Sequence, residues 1–122
     1  MTSHLGHTFA ARPLRSRASV RMPRLTLATE IVPVHTTHPF VIARGGASEW
    51  RTVTVRMRDA DGAEGWGEAA PSRFYGETPE SVVAAVERFG ATLADCDPWA
   101  LEEAEARMLA TLRYSAAARS AV

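Results

Sequence analysis

Hydrophobic and polar positions alternate with a period of two in three separate stretches of the chain. The first covers residues 24–32, and Pro33 is expected to end it because proline has no amide donor for a strand ladder. The second covers residues 52–58 and leads into an Asp-Ala-Asp-Gly turn at 59–62, and the third covers residues 63–69. These stretches predict a three-stranded antiparallel meander.

The connection between the first two strands, residues 35–48, has no sustained period and contains Pro39, Gly45 and Gly46. We expect a long loop in which residues 40–42 could pair locally. Loops of this length in a compact domain are often functional.

The third strand has one face made of small residues, because alternate positions from 63 to 69 are alanine or glycine. Another element is therefore expected to pack closely over that face. On the opposite face, Trp66 is interpreted as core or interdomain packing. Glu68, on the same face, is expected to satisfy loop amides or to pair with an arginine rather than to act in catalysis.

Beyond the third strand, hydrophobic residues recur with helical spacing. Residues 78–80, Thr-Pro-Glu, form a helix start, with an acceptor at the cap, proline at the first helical position and an acid near the positive end of the dipole. Asp97-Pro98 repeats this start, and Ser115 begins a third, short helix. The apolar stripes are Val82, Val83, Val86 and Phe89, then Leu101, Ala104, Met108 and Leu112. The predicted fold class is α+β, a three-stranded antiparallel meander followed by a helical bundle.

The charge composition narrows the possible partners. The 14 basic residues balance the 14 acidic ones, and every basic residue is arginine, so lysine is absent. Balanced charge gives no reason to expect nucleic acid or an anionic membrane as a partner. The sequence also contains no run of about 18 apolar residues, the length that a helix needs to span a bilayer. Cys96 is the only cysteine, which fits a reducing cytoplasm, and it is interpreted as a small apolar helix residue.

The first 29 residues contain no acidic residue, and their five arginines are interspersed with serines and prolines. Residues 1–22 are therefore expected to form a disordered basic leader, and the folded domain is expected to cover residues 23–122. The same composition is typical of a mitochondrial transit peptide. The alternative interpretation is that translation begins at Met22.

Two blocks of sequence resemble the dipeptide epimerases of the enolase superfamily. Residues 38–45, His-Pro-Phe-Val-Ile-Ala-Arg-Gly, resemble their first loop, and residues 61–71, Asp-Gly-Ala-Glu-Gly-Trp-Gly-Glu-Ala-Ala-Pro, resemble the hairpin and loop that follow. Residues 73–78 and 116–122 agree with the next parts of the same domain. The resemblance covers residues 22–122 and identifies the amino-terminal capping domain, most like that of the L-Ala-D/L-Glu epimerases.

The resemblance implies a division of labour between two domains. In this family the capping domain closes over the mouth of a modified (β/α) barrel, which supplies three acidic ligands for Mg²⁺ and two lysine bases. The implied activity is 1,1-proton transfer at the α-carbon of L-Ala-D/L-Glu-type dipeptides. The chain has no lysine, so it is expected to be inactive alone, to bind no metal itself and to stop before the missing barrel.

The same resemblance implies that the loops after the first and third strands contact the dipeptide. The candidate substrate-binding residues are Arg44 in the first loop and Phe74 and Tyr75 in the second. No catalytic residue is assigned, because the four histidines, His4, His7, His35 and His38, lie in the leader or the first loop without a supporting constellation. Gly45, Gly46 and Gly76 are expected to let the loops turn.

A function of another class stays open. The chain could act as a stand-alone, non-catalytic interaction domain or be a degenerate remnant. The surface that would otherwise cover a barrel would then favour self-association.

Overall fold

The computed structural model describes residues 25–43 and 45–122. A three-stranded antiparallel sheet of order β1-β2-β3 is followed by three helices, which confirms the predicted α+β meander and helices. A single turn of 3-10 helix, Arg73–Tyr75, connects sheet and helices. The elements are β1 Thr26–Ile42, β2 Gly45–Arg58, β3 Glu64–Ala69, α1 Pro79–Leu93, α2 Leu101–Thr111 and α3 Ala116–Ala121.

The first two strands form a hairpin much longer than predicted. Pairing continues through Pro33, which lies opposite Arg51, and resumes after an irregularity between His35 and Phe40. The expectation that Pro33 ends the strand was therefore wrong, as was the expectation of a long loop over residues 35–48. The local pairing expected for residues 40–42 is confirmed, because they lie opposite residues 45–47. Proline is tolerated because β1 is an edge strand, where its ring nitrogen can face away from the neighbouring strand.

The small-residue face of β3 is covered closely by α3, as predicted. A β-carbon added at Gly67 would collide with the carbonyl oxygen of Ala121, although one added at Gly65 would meet nothing within 4 Å. Ala118 and Ala121 are the buried residues of α3. The backbone of α3 therefore rests directly on the backbone of β3.

Helix α1 begins where the sequence predicted and anchors the core. Thr78 and Ser81 form a reciprocal capping box, in which the Ser81 amide donates to the Thr78 side chain at 3.1 Å. The apolar stripe of α1 packs against the inner face of the sheet. The most deeply buried large side chains are Phe89, Leu93, Val53, Val55, Val82, Val86 and Cys96.

Helix α2 begins later than Asp97-Pro98 predicted. The Asp97 carboxylate accepts from the Trp99 amide at 2.9 Å and so caps a turn, while the helix starts at Leu101 without a side-chain cap. Leu101 is 73% exposed, so its assignment to the buried stripe was wrong, whereas Met108 is buried. Cys96 is buried but lies in the bend after α1, not in a helix.

The predictions for the basic leader concern residues 1–22, which lie outside the described residues. The transit-peptide and Met22 interpretations, and the domain limits at 23 and 122, therefore stay predictions. In the described part of the chain, no helix is both long and apolar enough to cross a membrane.

Candidate functional site

The tip of the β1–β2 hairpin and the Arg73–Tyr75 turn face each other across an open cavity of about 440 Å³. We call it the tip pocket. Its hairpin side includes Ile42, Gly45, Gly46 and Trp50, and its turn side includes Pro71, Arg73, Phe74 and Glu77. The two segments that the sequence singled out as substrate loops therefore meet at one site.

Two glycines shape the hairpin side of this pocket. Gly45 has a φ of 117°, a conformation that other residues rarely adopt. A β-carbon at Gly46 would stand 2.9 Å from the Val41 side chain and 3.1 Å from the Phe40 carbonyl oxygen. The backbone conformation at Gly45 and the close contacts at Gly46 therefore favour glycine at both positions, as expected. Arg44, the third predicted substrate-binding residue, falls outside the described residues.

The turn side is held in place by Glu77, a residue that the sequence analysis did not single out. Its carboxylate accepts from the Ser72 amide at 3.2 Å and from the Ala117 amide at 3.1 Å. One side chain thereby connects both ends of the turn to the start of α3. Gly76, with a φ of 72°, closes the turn in the left-handed conformation. The only sequence signal was an acid placed directly after this glycine.

Four charged side chains line the tip pocket: Glu49, Arg51, Arg73 and Glu77. Arg51 lies 2.8 Å from Glu80, and Glu49 lies 3.5 Å from His35. The pKa of Glu80 is lowered, first by a backbone hydrogen bond and then by Arg51. Arg73 instead lies over the Phe74 ring, with its guanidinium carbon 5.2 Å from the ring centroid.

The two predicted aromatic residues lie on different sides of the turn. Phe74 faces the tip pocket and is 51% exposed. Tyr75 is 85% exposed and lines a second cavity of about 510 Å³ together with Arg113, Tyr114 and Ser115. The structure therefore brings Phe74 to the hairpin tip but separates Tyr75 from it.

Other residues considered from the sequence lie away from this site. Trp66 is 66% exposed on the outer face of the sheet, and its ring centroid lies 5.6 Å from the Arg56 guanidinium carbon. It is therefore not a core residue of this chain, and its other interpretation, interdomain packing, stays a prediction. Glu68 shares that face, and its side chain has no hydrogen bond or ion pair to any described residue. The expectation that it satisfies loop amides or pairs with an arginine was therefore wrong. Glu64 instead pairs with arginines, among them Arg56 at 4.0 Å.

The described residues offer no metal site. Within residues 25–43 and 45–122, no three histidine, cysteine, aspartate or glutamate side chains are grouped to hold an ion. His35 and His38 belong to β1, and His4 and His7 lie outside the described residues.

Comparison with known proteins identifies a domain family and related epimerases. The family model of the mandelate racemase / muconate lactonizing enzyme N-terminal domain matches residues 26–122. The chain is 47% identical over 57 residues to the L-Ala-D/L-Glu epimerase of Escherichia coli, covering 47% of this chain and 17% of that protein. It is 38% identical over 72 residues to the aromatic dipeptide epimerase of Herpetosiphon aurantiacus, covering 58% of this chain and 20% of that protein.

Solved structures agree over a larger share of the chain. A mandelate racemase/muconate lactonizing protein from Herpetosiphon aurantiacus superposes with a TM-score of 0.75 at 32% identity, over 84% of this chain and 29% of that one. A dipeptide epimerase from Methylococcus capsulatus, solved with Mg and the dipeptide L-Arg-D-Lys, gives 0.72 at 30% identity, over 80% and 28%. The chain thus spans less than a third of these relatives. It belongs to the mandelate racemase / muconate lactonizing enzyme N-terminal domain family, an enolase-superfamily domain of dipeptide-epimerase-like proteins.

Proposed function

We propose that this chain is the substrate-capping domain of a Mg²⁺-dependent dipeptide epimerase that acts on L-Ala-D/L-Glu-type dipeptides. In this proposal the chain contacts the distal part of the substrate through the tip pocket and excludes water from the reacting carbon. It has no catalytic activity by itself. The (β/α) barrel domain is its partner.

The meeting of the hairpin tip with the Arg73–Tyr75 turn carries this proposal. The two segments are more than 25 residues apart in sequence, yet they line one pocket at the edge of the domain. Glycines and the Glu77 hydrogen bonds fix both segments, so the pocket is preorganised. A fixed pocket that combines apolar residues with four charged side chains is suited to binding a small peptide.

The chemistry of the proposed reaction has to come from outside the described residues. Removing a proton beside a carboxylate requires a positioned base and stabilisation of the resulting negative charge. The chain has no lysine, and its described residues have no metal-binding group. We therefore assign the base and the Mg²⁺ to the barrel, and substrate contact alone to this chain.

A chimera tests the proposal. Residues 25–122 replace the capping domain of the Methylococcus capsulatus dipeptide epimerase, and exchange of the α-proton of L-Ala-L-Glu is followed in D₂O by proton NMR. We expect Mg²⁺-dependent exchange by the chimera and none by the 122-residue chain alone. The unaltered host enzyme, assayed with L-Arg-L-Lys, is the control for an active barrel.

Exchange by the chain alone would contradict the assignment of the chemistry to the barrel. A folded chimera that retains metal but exchanges no dipeptide would contradict the capping role. Circular dichroism and metal analysis of the chimera establish that it is folded and loaded before either conclusion is drawn.

A second candidate function rests on a different surface. An apolar groove of about 450 Å³ lies between α2 and α3 and is lined by residues that include Leu25, Leu101, Met108 and Val122. A stand-alone interaction domain would use this groove for self-association. Sedimentation equilibrium of the chain tests this alternative, because a concentration-independent monomer would argue against it.

A further inference from the structure

We propose that residues 20–24, Val-Arg-Met-Pro-Arg, bind to the domain that follows them and cover the apolar groove between α2 and α3. We call these five residues the entry segment, because they lead into β1. They lie outside the described residues, but the groove and the point at which the chain meets it are both described. The proposed dipeptide site lies at the hairpin tip and uses other residues, so the two proposals can fail separately.

The chain meets the domain at this groove. Leu25 is one of the lining residues, and its amide donates to the carbonyl oxygen of Ala94 at 3.0 Å. An extended chain spans at most about 3.6 Å per residue, so the whole entry segment stays within about 18 Å of Leu25. Such a short tether gives an effective concentration in the millimolar range, and weak contacts are then sufficient for binding.

The groove presents apolar surface that the entry segment can cover. Met57 and Met108 line a cavity of about 450 Å³, and Leu101, another lining residue, is 73% exposed. Val20 and Met22 are the matching apolar residues, and alternate side chains of an extended chain point in the same direction. Methionine fills irregular spaces well because its side chain is long and unbranched. Covering the groove in this way removes apolar surface from water.

The charges of the groove favour a basic segment. The charged lining residues are Asp97, Glu105 and Arg119. Arg119 donates to two backbone carbonyl oxygens, and neither carboxylate is among those that form ion pairs with described residues. Arg21 and Arg24 of the entry segment would supply two guanidinium groups beside these carboxylates.

The charge of the whole domain favours the same occupant over a second copy. All 14 acidic residues lie between positions 30 and 122, whereas only nine of the 14 arginines lie there. Residues 25–122 therefore have a formal charge of −5, and the five arginines of residues 1–24 have a charge of +5. The domain of a second copy carries the same negative charge and is repelled, while the tethered basic segment is attracted.

Methionine methyl NMR of the 122-residue chain tests the proposal. The chain has four methionines, of which Met22 lies in the entry segment and Met57 and Met108 line the groove. At low salt we expect nuclear Overhauser effects between the Met22 methyl group and the methyl groups of Met57 or Met108. These signals should persist when the labelled chain is diluted with unlabelled chain, because the contact lies within one molecule.

Variants of the entry segment separate the two contributions to binding. The ratio of bound to free segment is followed through the positions of the Met57 and Met108 signals, with Met22→Ser at high salt as the free reference. Met22→Ser is expected to lower this ratio by at least about 10-fold. The double variant Arg21→Gln/Arg24→Gln is expected to lower it by about 1.5-fold to 5-fold for each arginine, with the difference lost at high salt.

Matched charge controls make the test specific. Arg12→Gln/Arg15→Gln removes the same charge from residues farther from Leu25 and is expected to have a smaller effect than the inner pair. Glu105→Gln should lower the bound fraction, whereas Glu87→Gln, at an exposed position of α1 that does not line the groove, should not. Circular dichroism of each variant establishes that the domain is folded.

Three results would overturn the proposal. The first is the absence of any effect between Met22 and the groove methionines at low salt. The second is an effect that disappears on dilution with unlabelled chain, because a second copy would then occupy the groove. The third is an equal response to Glu105→Gln and Glu87→Gln, because the groove carboxylates would then have no part in the contact.

Discussion

Substituting Gly67 by alanine should separate α3 from the sheet. The added β-carbon would overlap the Ala121 carbonyl oxygen and stand 2.8 Å from its carbon and 3.1 Å from the Ala121 α-carbon. These are backbone atoms of a helix, so no side-chain rotation relieves the overlap. Either α3 moves away from β3 or the strand bends.

The size of this effect follows from the packing. Inserting a carbon into a filled site costs about 1–3 kcal/mol. Replacing glycine also reduces the freedom of the unfolded chain, which stabilises the folded state by about 0.4–1 kcal/mol where the new side chain fits. We expect Gly67→Ala to lower the free energy of unfolding by about 1–2 kcal/mol after this offset, equivalent to roughly 4–16 °C in Tm for a domain of this size.

Urea and thermal unfolding followed by circular dichroism measure the change. Gly65→Ala is the matched control, because Gly65 lies on the same face of the same strand and its added β-carbon meets nothing within 4 Å. We expect the control to be neutral or slightly stabilising. Equal unfolding midpoints for the two variants would refute the close contact between β3 and α3.

Three further predictions concern helix α1 and the bend that follows it. Thr78→Ala removes the capping box of α1 and should cost about 1 kcal/mol in urea unfolding, whereas no change would mean that the cap contributes nothing. Arg107, which donates to the Asp95 carboxylate at 2.7 Å, lowers the pKa of Asp95 below its ordinary value of 3.8. The resulting stability is complete above that value and is lost as pH falls through the folded-state pKa, so urea midpoints of Asp95→Asn and the parent should converge in acid; a constant gap would contradict this. Burial raises the pKa of Cys96, so its reaction with a thiol reagent near neutral pH should be slow until the chain unfolds, and fast labelling of the folded chain would contradict its burial.

Where side-chain pattern alone decided the structure, the sequence was sufficient. The alternating stretches gave the three strands, Thr78-Pro79 gave the start of α1, and the small residues of β3 gave its close contact with α3. Each of these features depends on neighbours in sequence or on one face of one strand. Local physical rules therefore apply directly.

Where pairing partners decided the structure, the sequence was insufficient. Pro33 stays in a strand because β1 is at the edge of the sheet, and strand order cannot be read from the residues around a proline. Asp97-Pro98 has the composition of a helix start, but the Asp97 side chain caps a turn instead. Trp66 has the size of a core residue yet lies on the face that no helix of the described chain covers.

The candidate site, like the fold, was only partly predictable from the sequence. Sequence resemblance identified the two loops, and the structure brings them to one pocket. The sequence could not distinguish Phe74 from Tyr75 as a pocket residue, because the directions in which the two side chains point depend on the geometry of the turn.

Exchange of the α-proton by the natural gene product tests the central claim most directly. The protein is purified from its own cells with an antibody against residues 65–78 and incubated with L-Ala-L-Glu in D₂O. The account predicts deuterium at the α-carbon of the glutamate residue in the presence of Mg²⁺ and its loss on chelation. No incorporation with any dipeptide, under conditions in which the Methylococcus capsulatus enzyme is active, would contradict it.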